Sequence, residues 1–263
     1  SLRQAIVDVG PGETITFAPS LNGTTITLSA QLVINKDLNI NASALSKGII
    51  INGSQFTRVF EIRSGFVASF TAFTIAGGQA PHGSNGADGS ITNGKISGEP
   101  GDDGGDGGGI RNLGKLTLNR ITLRNCHAGN GGQGGNRFPG SNGSGGAGGE
   151  AGHGGGIYNA SSGVLVIENS TIIGNSAGSG GDGGTGLFSQ SRGGSGGSGG
   201  GIYSNGDLII DQATITNNLS GSQGAGGPFI ASPPGNGGGV SVQAGNFTLD
   251  NSVIALNTSA GTG

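Results

Sequence analysis

Three carboxylates fall at matching places in successive segments of this chain. Glu168 ends the run VLVIE, Asp211 ends DLIID and Asp250 ends FTLD, while the preceding segment, KLTLN, has Asn119 there. If the segments stack as strands, these residues form a column with one strand spacing, roughly 4.8 Å, between neighbours. Carboxylate pairs are what glycoside hydrolysis requires. No Lys, Arg or His recurs beside them, however, so a column of solvated acids is expected. The stretch GDDGGDGGG places Asp102, Asp103 and Asp106 close together, and carboxylate oxygens are the ligands Ca²⁺ takes. The tandem Gly-Gly-x-Gly-x-Asp calcium repeat needs an apolar residue two positions further on, and Gly108 stands there. His82, His127 and His153 have no mutual ligand spacing and read as surface or loop residues. Cys126, the single cysteine, excludes an internal disulfide framework and reads as a small core or corner residue. The expectation is therefore no catalytic set, no metal site, no cofactor and no enzyme.

The elements that would position these residues are visible as a repeat. GGGI or a close relative occurs at Gly107, Gly154, Gly199 and Gly237, in steps of 47, 45 and 38 residues. Each is followed by a pair of short β-rich runs: 115–125, 164–175, 207–218 and 246–257. The β-rich part keeps its length and the intervening segment absorbs the variation, which is the signature of a solenoid. The runs are three to four residues long, aliphatic or β-branched, and end at Asn, Asp or Gly, so they are strands rather than helices. TITF (14–17), TITL (25–28), LVI (32–34), LNI (38–40), IIING (49–53), RVFEI (58–62) and FTAFTI (70–75) read the same way. Three runs per coil predict an all-β, right-handed parallel β-helix of about seven coils, roughly 30–35 Å long. Asn125, Asn175, Asn218 and Asn257 fall at comparable corners, where stacked amides would satisfy backbone groups. SLRQAIVDVG has Leu2, Ala5, Ile6 and Val9 at helical spacing and is expected to cap the first coil. No such cap is evident after residue 257.

SLRQAI, ETITF, TTITL, LNI, GGGIYN and ENSTI together resemble bacterial surface proteins with parallel β-helix passengers. These are the polymorphic outer-membrane-protein-like and adhesin-like proteins whose domain opens on Cys-Ser-Leu-Arg-Glu-Ala-Ile. Gln4 stands in place of the usual Glu, and the Gly-rich segments are longer and more regular than that family needs. The resemblance implies secretion and a role at the cell surface.

Glycine supplies 62 of the 263 residues, where about 7% is usual. It is concentrated in inserts at about 77–107, 129–155, 178–200 and 221–238, against an ordinary N-terminal part, 1–76; together with 77–263 this makes one continuous domain. Within the inserts glycine keeps a period of three, as at Gly140, Gly143, Gly146, Gly149, Gly152 and Gly155. A polyproline-II helix has three residues per turn and no internal hydrogen bonds, so this period strips one face of side chains. Such helices approach closely and bond laterally through their backbones, which satisfies groups that would otherwise be orphaned. Each insert is expected to be a hairpin of two polyglycine-II arms, with the hairpins stacked beside the shaft. Non-glycine stretches interrupt the period and mark the tips. Their apolar residues, Ile91, Ile96, Phe138, Leu187, Phe188, Phe229 and Ile230, are the contact candidates.

A net charge of −3 offers no footprint for nucleic acid, and no apolar run approaches the ~18–20 residues of a membrane span. The chain has no Met and reads as a processed or excerpted piece. The leading expectation is an extracellular or cell-surface structural or adhesive protein that assembles into a filament or sheath. Its partners would be copies of itself, other surface components, a glycan or a host surface. The second class is a module that holds ice or glycan on a flat β-helix face, with outward Thr repeating in one column. The third is a carbohydrate-active enzyme.

Overall fold

The computed structural model of the chain describes residues 1–92, 96–187, 190–227 and 232–260. α1 spans Leu2–Asp8. The strands then run coil by coil. The first coil holds β1 (Thr14–Thr16), β2 (Thr25–Thr27) and β3 (Leu32–Ile34). The second holds β4 (Leu38–Asn41), β5 (Ile50–Asn52) and β6 (Phe60–Ile62), and the third β7 (Val67–Thr71), β8 (Thr74–Ala76) and β9 (Ile110–Asn112). The fourth holds β10 (Lys115–Asn119), β11 (Thr122–Arg124) and β12 (Ile157–Asn159), and the fifth β13 (Val164–Glu168), β14 (Thr171–Ile173) and β15 (Ile202–Ser204). The sixth holds β16 (Asp207–Asp211), β17 (Thr214–Thr216) and β18 (Val240–Val242), and β19 (Phe247–Asp250) and β20 (Val253–Ala255) begin the seventh.

Each strand pairs in parallel with its counterpart one coil away, giving two seven-stranded sheets and one six-stranded sheet. Call them sheet 1 (β1, β4, β7, β10, β13, β16, β19), sheet 2 (β2, β5, β8, β11, β14, β17, β20) and sheet 3 (β3, β6, β9, β12, β15, β18). This is the parallel β-helix, with about seven coils. Alternation along each strand turns one set of side chains inward. Leu116, Leu165 and Leu208 lie in register in sheet 1, and Leu123, Ile172 and Ile215 in sheet 2; all six are buried. At the N-terminal end Phe60, Phe70 and Phe73 cluster, with Phe60 and Phe70 centroids 4.6 Å apart.

α1 behaves as its pattern predicts. The Ser1 side chain accepts from the Gln4 N–H, while Leu2 and Ile6 enter the core and Ala5 and Val9 pack against it. Lys36 Nζ donates to the carbonyls of Val7 and Val9 at 2.8 Å each, which pins the helix end. At the opposite end β19 and β20 are exposed throughout.

The corner ladder differs from expectation at one residue. Asn218 Nδ2 donates to Asn257 Oδ1, and Asn175 Nδ2 to Asn218 Oδ1, both at 2.9 Å. The next position in the column is Cys126, whose N–H donates to Asn175 Oδ1 at 3.0 Å. Asn125 lies one residue earlier and is exposed, in the left-handed corner position (φ 53°) that Gly174, Asn217 and Leu256 take in later coils. Asn tolerates this conformation because its short polar side chain compensates locally. A second ladder joins Asn112, Asn159 and Ser204, all buried, at the end of sheet 3: Asn112 Nδ2 donates to Asn159 Oδ1 (2.8 Å) and Asn159 Nδ2 to Ser204 Oγ (2.9 Å).

Candidate functional site

Every Gly-rich insert leaves the shaft after sheet 2 and returns to it before sheet 3, in coils three to six. The return passes through the Gly-Gly-Gly triplet. Gly154, like Gly107, Gly199 and Gly237, has positive φ (65°), and a Cβ on it would strike the Ile157 carbonyl. The other triplet glycines bond to the next triplet: Gly155 N–H to Gly199 O and Gly156 N–H to Gly200 O, both 3.1 Å.

The inserts form eight arms in two layers. Outgoing arms bond to outgoing arms: Gly83, Gly86 and Gly89 donate to Asn130, Gln133 and Asn136, and Gly131 and Gly134 to Ser179 and Asp182. Return arms do the same, with Gly98, Gly101 and Gly104 donating to Ser144, Ala147 and Glu150. A second set of bonds ties the layers together. Gly146, Gly149 and Gly152 donate to Gly135, Gly132 and Gly129, and Gly178, Gly181 and Gly184 to Gly152, Gly149 and Gly146. Partners on both strands of each set advance in steps of three, as threefold helices require. A Cβ on Gly146 or Gly149 would fall on the carbonyl of Glu99 or Asp102. The hydrogen that takes its place points at that oxygen, a weak Cα–H···O contact.

On several turns the third residue carries a side chain with a function of its own. In the first outgoing arm His82 Nδ1, Asn85 Oδ1 and Asp88 Oδ1 accept the N–H groups of Asn130, Gln133 and Asn136 (2.9, 2.9 and 2.6 Å). Asn130 and Asn136 in turn accept from Ser179 and Thr185, and Asp182 from Ala225. In the return layer Asp103 and Asp106 accept from Glu150 and His153 (both 2.8 Å), and Glu150 and His153 from Ser195 and Ser198. The donor left over on each of these turns is thereby satisfied by an acceptor from the adjacent arm. Acceptors at 82, 85 and 88, then 103 and 106, are a period-three signal present in the sequence but hidden beneath the glycines.

This accounts for two groups singled out in the sequence. Asp103 and Asp106 bind backbone N–H groups, and no group of three or more His, Cys, Asp or Glu converges on a metal position among the described residues. His82 and His153 accept at Nδ1, and His127 Nδ1 lies 2.6 Å from Ser176 Oγ. Burial lowers the pKa of His153, an effect the Asp106 and Glu150 carboxylates partly oppose; burial also lowers that of His127. His153 stacks on Tyr203 (4.4 Å), which stacks on Tyr158 (5.6 Å). Cys126 is fully buried, and desolvation pushes its thiol up to about 12.

The carboxylate column is in register: Asn119, Glu168, Asp211 and Asp250 are neighbours along sheet 1. Its side-chain bonds run to amides, Asn119 Nδ2 to Glu168 Oε2 (3.0 Å) and Asn251 Nδ2 to Asp211 Oδ1 (3.2 Å). On sheet 2, Thr74, Thr122, Thr171 and Thr214 form an outward column in successive coils. Two residues further along, the parallel column runs Ala76, Arg124, Ile173 and Thr216.

At the tips, Ile91 is 64% exposed, Ile96 42% and Leu187 38%. Phe138 is half-buried, and its N–H donates to the Ile96 carbonyl (2.8 Å). Phe188, Phe229 and Ile230 lie outside the described residues. The arms of the second insert pair turn for turn, with Gly152, Gly149 and Gly146 donating to Gly129, Gly132 and Gly135, and meet in a turn at Gly140 (φ 78°), where Arg137 Nη1 donates to Phe138 O and Ser141 O.

Shaft and bundle together define a parallel β-helix that holds a two-layer array of Gly-rich arms along one corner. Neither a family model, nor a curated protein, nor a solved structure matches the chain.

Proposed function

We propose that the protein is a secreted or cell-surface structural and adhesive protein whose glycine bundle is a rigid mount for the insert tips. One observation carries this reading: the exposed apolar residues Ile91, Ile96 and Leu187 sit at the ends of arms that are cross-bonded along their length. Ordering a glycine costs on the order of 1–2 kcal/mol or more in backbone entropy. A bundle this regular uses that cost to hold small apolar contacts in fixed relative positions, and pre-organised contacts bind with less loss on association. The test is adsorption to alkyl-terminated and hydroxyl-terminated layers on a quartz-crystal microbalance. The triple variant Ile91→Ser, Ile96→Ser, Leu187→Ser loses adsorption to the alkyl layer while keeping its thermal transition. Equal adsorption by the variant and the parent protein refutes the reading.

The column of Thr74, Thr122, Thr171 and Thr214 favours a second reading, in which sheet 2 presents a regular hydroxyl row to ice or glycan. Arg124 interrupts the row beside it, and the ordered face is therefore one column wide. Thermal hysteresis that Thr122→Tyr abolishes is the outcome that this reading requires.

A further inference from the structure

A trough of about 320 Å³ lies where the arms leave the shaft, well away from the tips. Its floor is a ladder of bridges that crosses four coils through Gln79, His127, Ser176 and Leu219. Its wall is the first third-position residue of each outgoing arm: His82, Asn130, Ser179 and Ser222. Two rows of side chains thus advance together, one pair per coil, over roughly 14 Å at the strand spacing.

The chemistry of the lining narrows the occupant. No Asp, Glu, Lys or Arg lines the trough, so it offers an ionic ligand no counter-charge. The backbone of the floor is committed: Ala80, Ala128 and Ala177 donate to the carbonyls of His127, Ser176 and Leu219, and His127 and Ser176 donate to Gly78 and Cys126. An added peptide strand therefore finds no free ladder to extend. Gln79 Nε2 donates to the Ala80 and Ala128 carbonyls, His127 Nδ1 pairs with Ser176 Oγ and Ser220 Oγ donates to Gly235 O, which fixes the floor. What faces the trough is hydroxyl, imidazole and amide groups beside apolar surface from Ala260 and the exposed Leu219. The wall is held in place before any ligand arrives. His82 accepts from Asn130 N–H, Asn130 from Ser179 N–H, and Ser222 Oγ donates to Ser179 Oγ at 3.1 Å. Because His82 Nδ1 is an acceptor, its Nε2–H is left as a donor. A row of polar side chains repeated at a fixed step, with apolar surface from Leu219 and Ala260 at one end, matches a ligand whose hydroxyls repeat at a similar step.

We propose that this trough binds a neutral glycan chain lying along the shaft axis, with about one sugar per coil. The site is independent of the tips and of the flat threonine face.

The test is calorimetric titration with cellotetraose, maltotetraose, chitotetraose and a β-1,4-mannotetraose. At least one is expected to bind saturably. Ser222→Tyr, an exposed change at the wall, weakens that binding by about tenfold or more, and Ser179→Tyr does the same if its thermal transition is retained. Thr122→Tyr on sheet 2 and the triple tip variant bind as the parent does. Absence of binding by all four sugars, unchanged affinity in Ser222→Tyr, or loss of binding in Thr122→Tyr each overturns the proposal.

Discussion

Gly149→Ala adds one carbon at the centre of the bundle. Gly149 N–H donates to Gly132 O (2.8 Å), its own carbonyl accepts from Gly181 (3.0 Å), and Gly132 N–H donates to Asp102 O (2.8 Å). The new Cβ would sit on the Asp102 carbonyl, and backbone cannot swing aside as a flexible side chain can. The arms must separate, and the three bonds go together. At a net 1–1.5 kcal/mol each, the loss is about 3–4.5 kcal/mol, a large part of the usual 5–15 kcal/mol of a domain. In urea that lowers the midpoint by about 1–2 M if the bundle and shaft unfold as one. If the bundle opens first, hydrogen exchange reports it: the amides of Gly132, Gly149 and Gly181 lose protection while Ile157 and Ile167 keep theirs. Ala147→Val, two residues away on an exposed position, is the control and changes stability by less than about 0.5 kcal/mol. A Gly149→Ala protein with parental midpoint and parental exchange would refute the account of the bundle as backbone-packed.

Three further outcomes are expected. The ring of His153 must be neutral to accept from Ser198 N–H, and burial has lowered its pKa; its contribution is present above the ordinary value of about 6.5 and is lost as pH falls through the lowered one. Melting temperature should therefore fall between pH 7 and pH 5, and His153→Asn, which keeps an acceptor without a proton equilibrium, should flatten the profile. Asn218→Ala removes the middle of the corner ladder, takes away the Asn218 bonds to Asn175, Asn257 and the Ile172 and Thr216 carbonyls, and leaves the Asn175 N–H without its acceptor, for a loss of about 2–4 kcal/mol in equilibrium unfolding. Leu256 holds φ 56° while 78% exposed, so Leu256→Asn should raise stability by about 0.5–1 kcal/mol.

The shaft was legible because its signals are local. Alternation in KLTLN, VLVIE and DLIID states which side chains turn inward without reference to any other coil, and the shared GGGI fixes where each coil closes. The glycine period likewise announced lateral packing of the arms, and the register of Glu168, Asp211 and Asp250 came with the strands. What escaped depends on which chains become neighbours. Asn125 and Cys126 are adjacent in sequence, and only the left-handed turn at Asn125 decides that Cys126 stands in line with Asn175. His82, Asn85 and Asp88 look like ordinary loop polarity until the second outgoing arm lies beside them. The trough has no sequence signature at all, since Gln79 and His127, or His82 and Asn130, meet only because 48 residues separate equivalent points of the two coils.

The step of three in the arms restricts how such a protein changes length. An insert cannot grow by one residue, because every later glycine would rotate by a third of a turn and present its side-chain-bearing neighbour to the next arm. Growth comes in triplets, each extending an arm by about 9 Å, and a triplet added on the way out demands another on the way back. Reach from the shaft is therefore quantised and is heritable only as paired insertions. A lone triplet keeps the phase but leaves one arm a turn longer than its partner, whereas a single-residue slip during replication of these repetitive codons leaves an arm out of phase with all its neighbours.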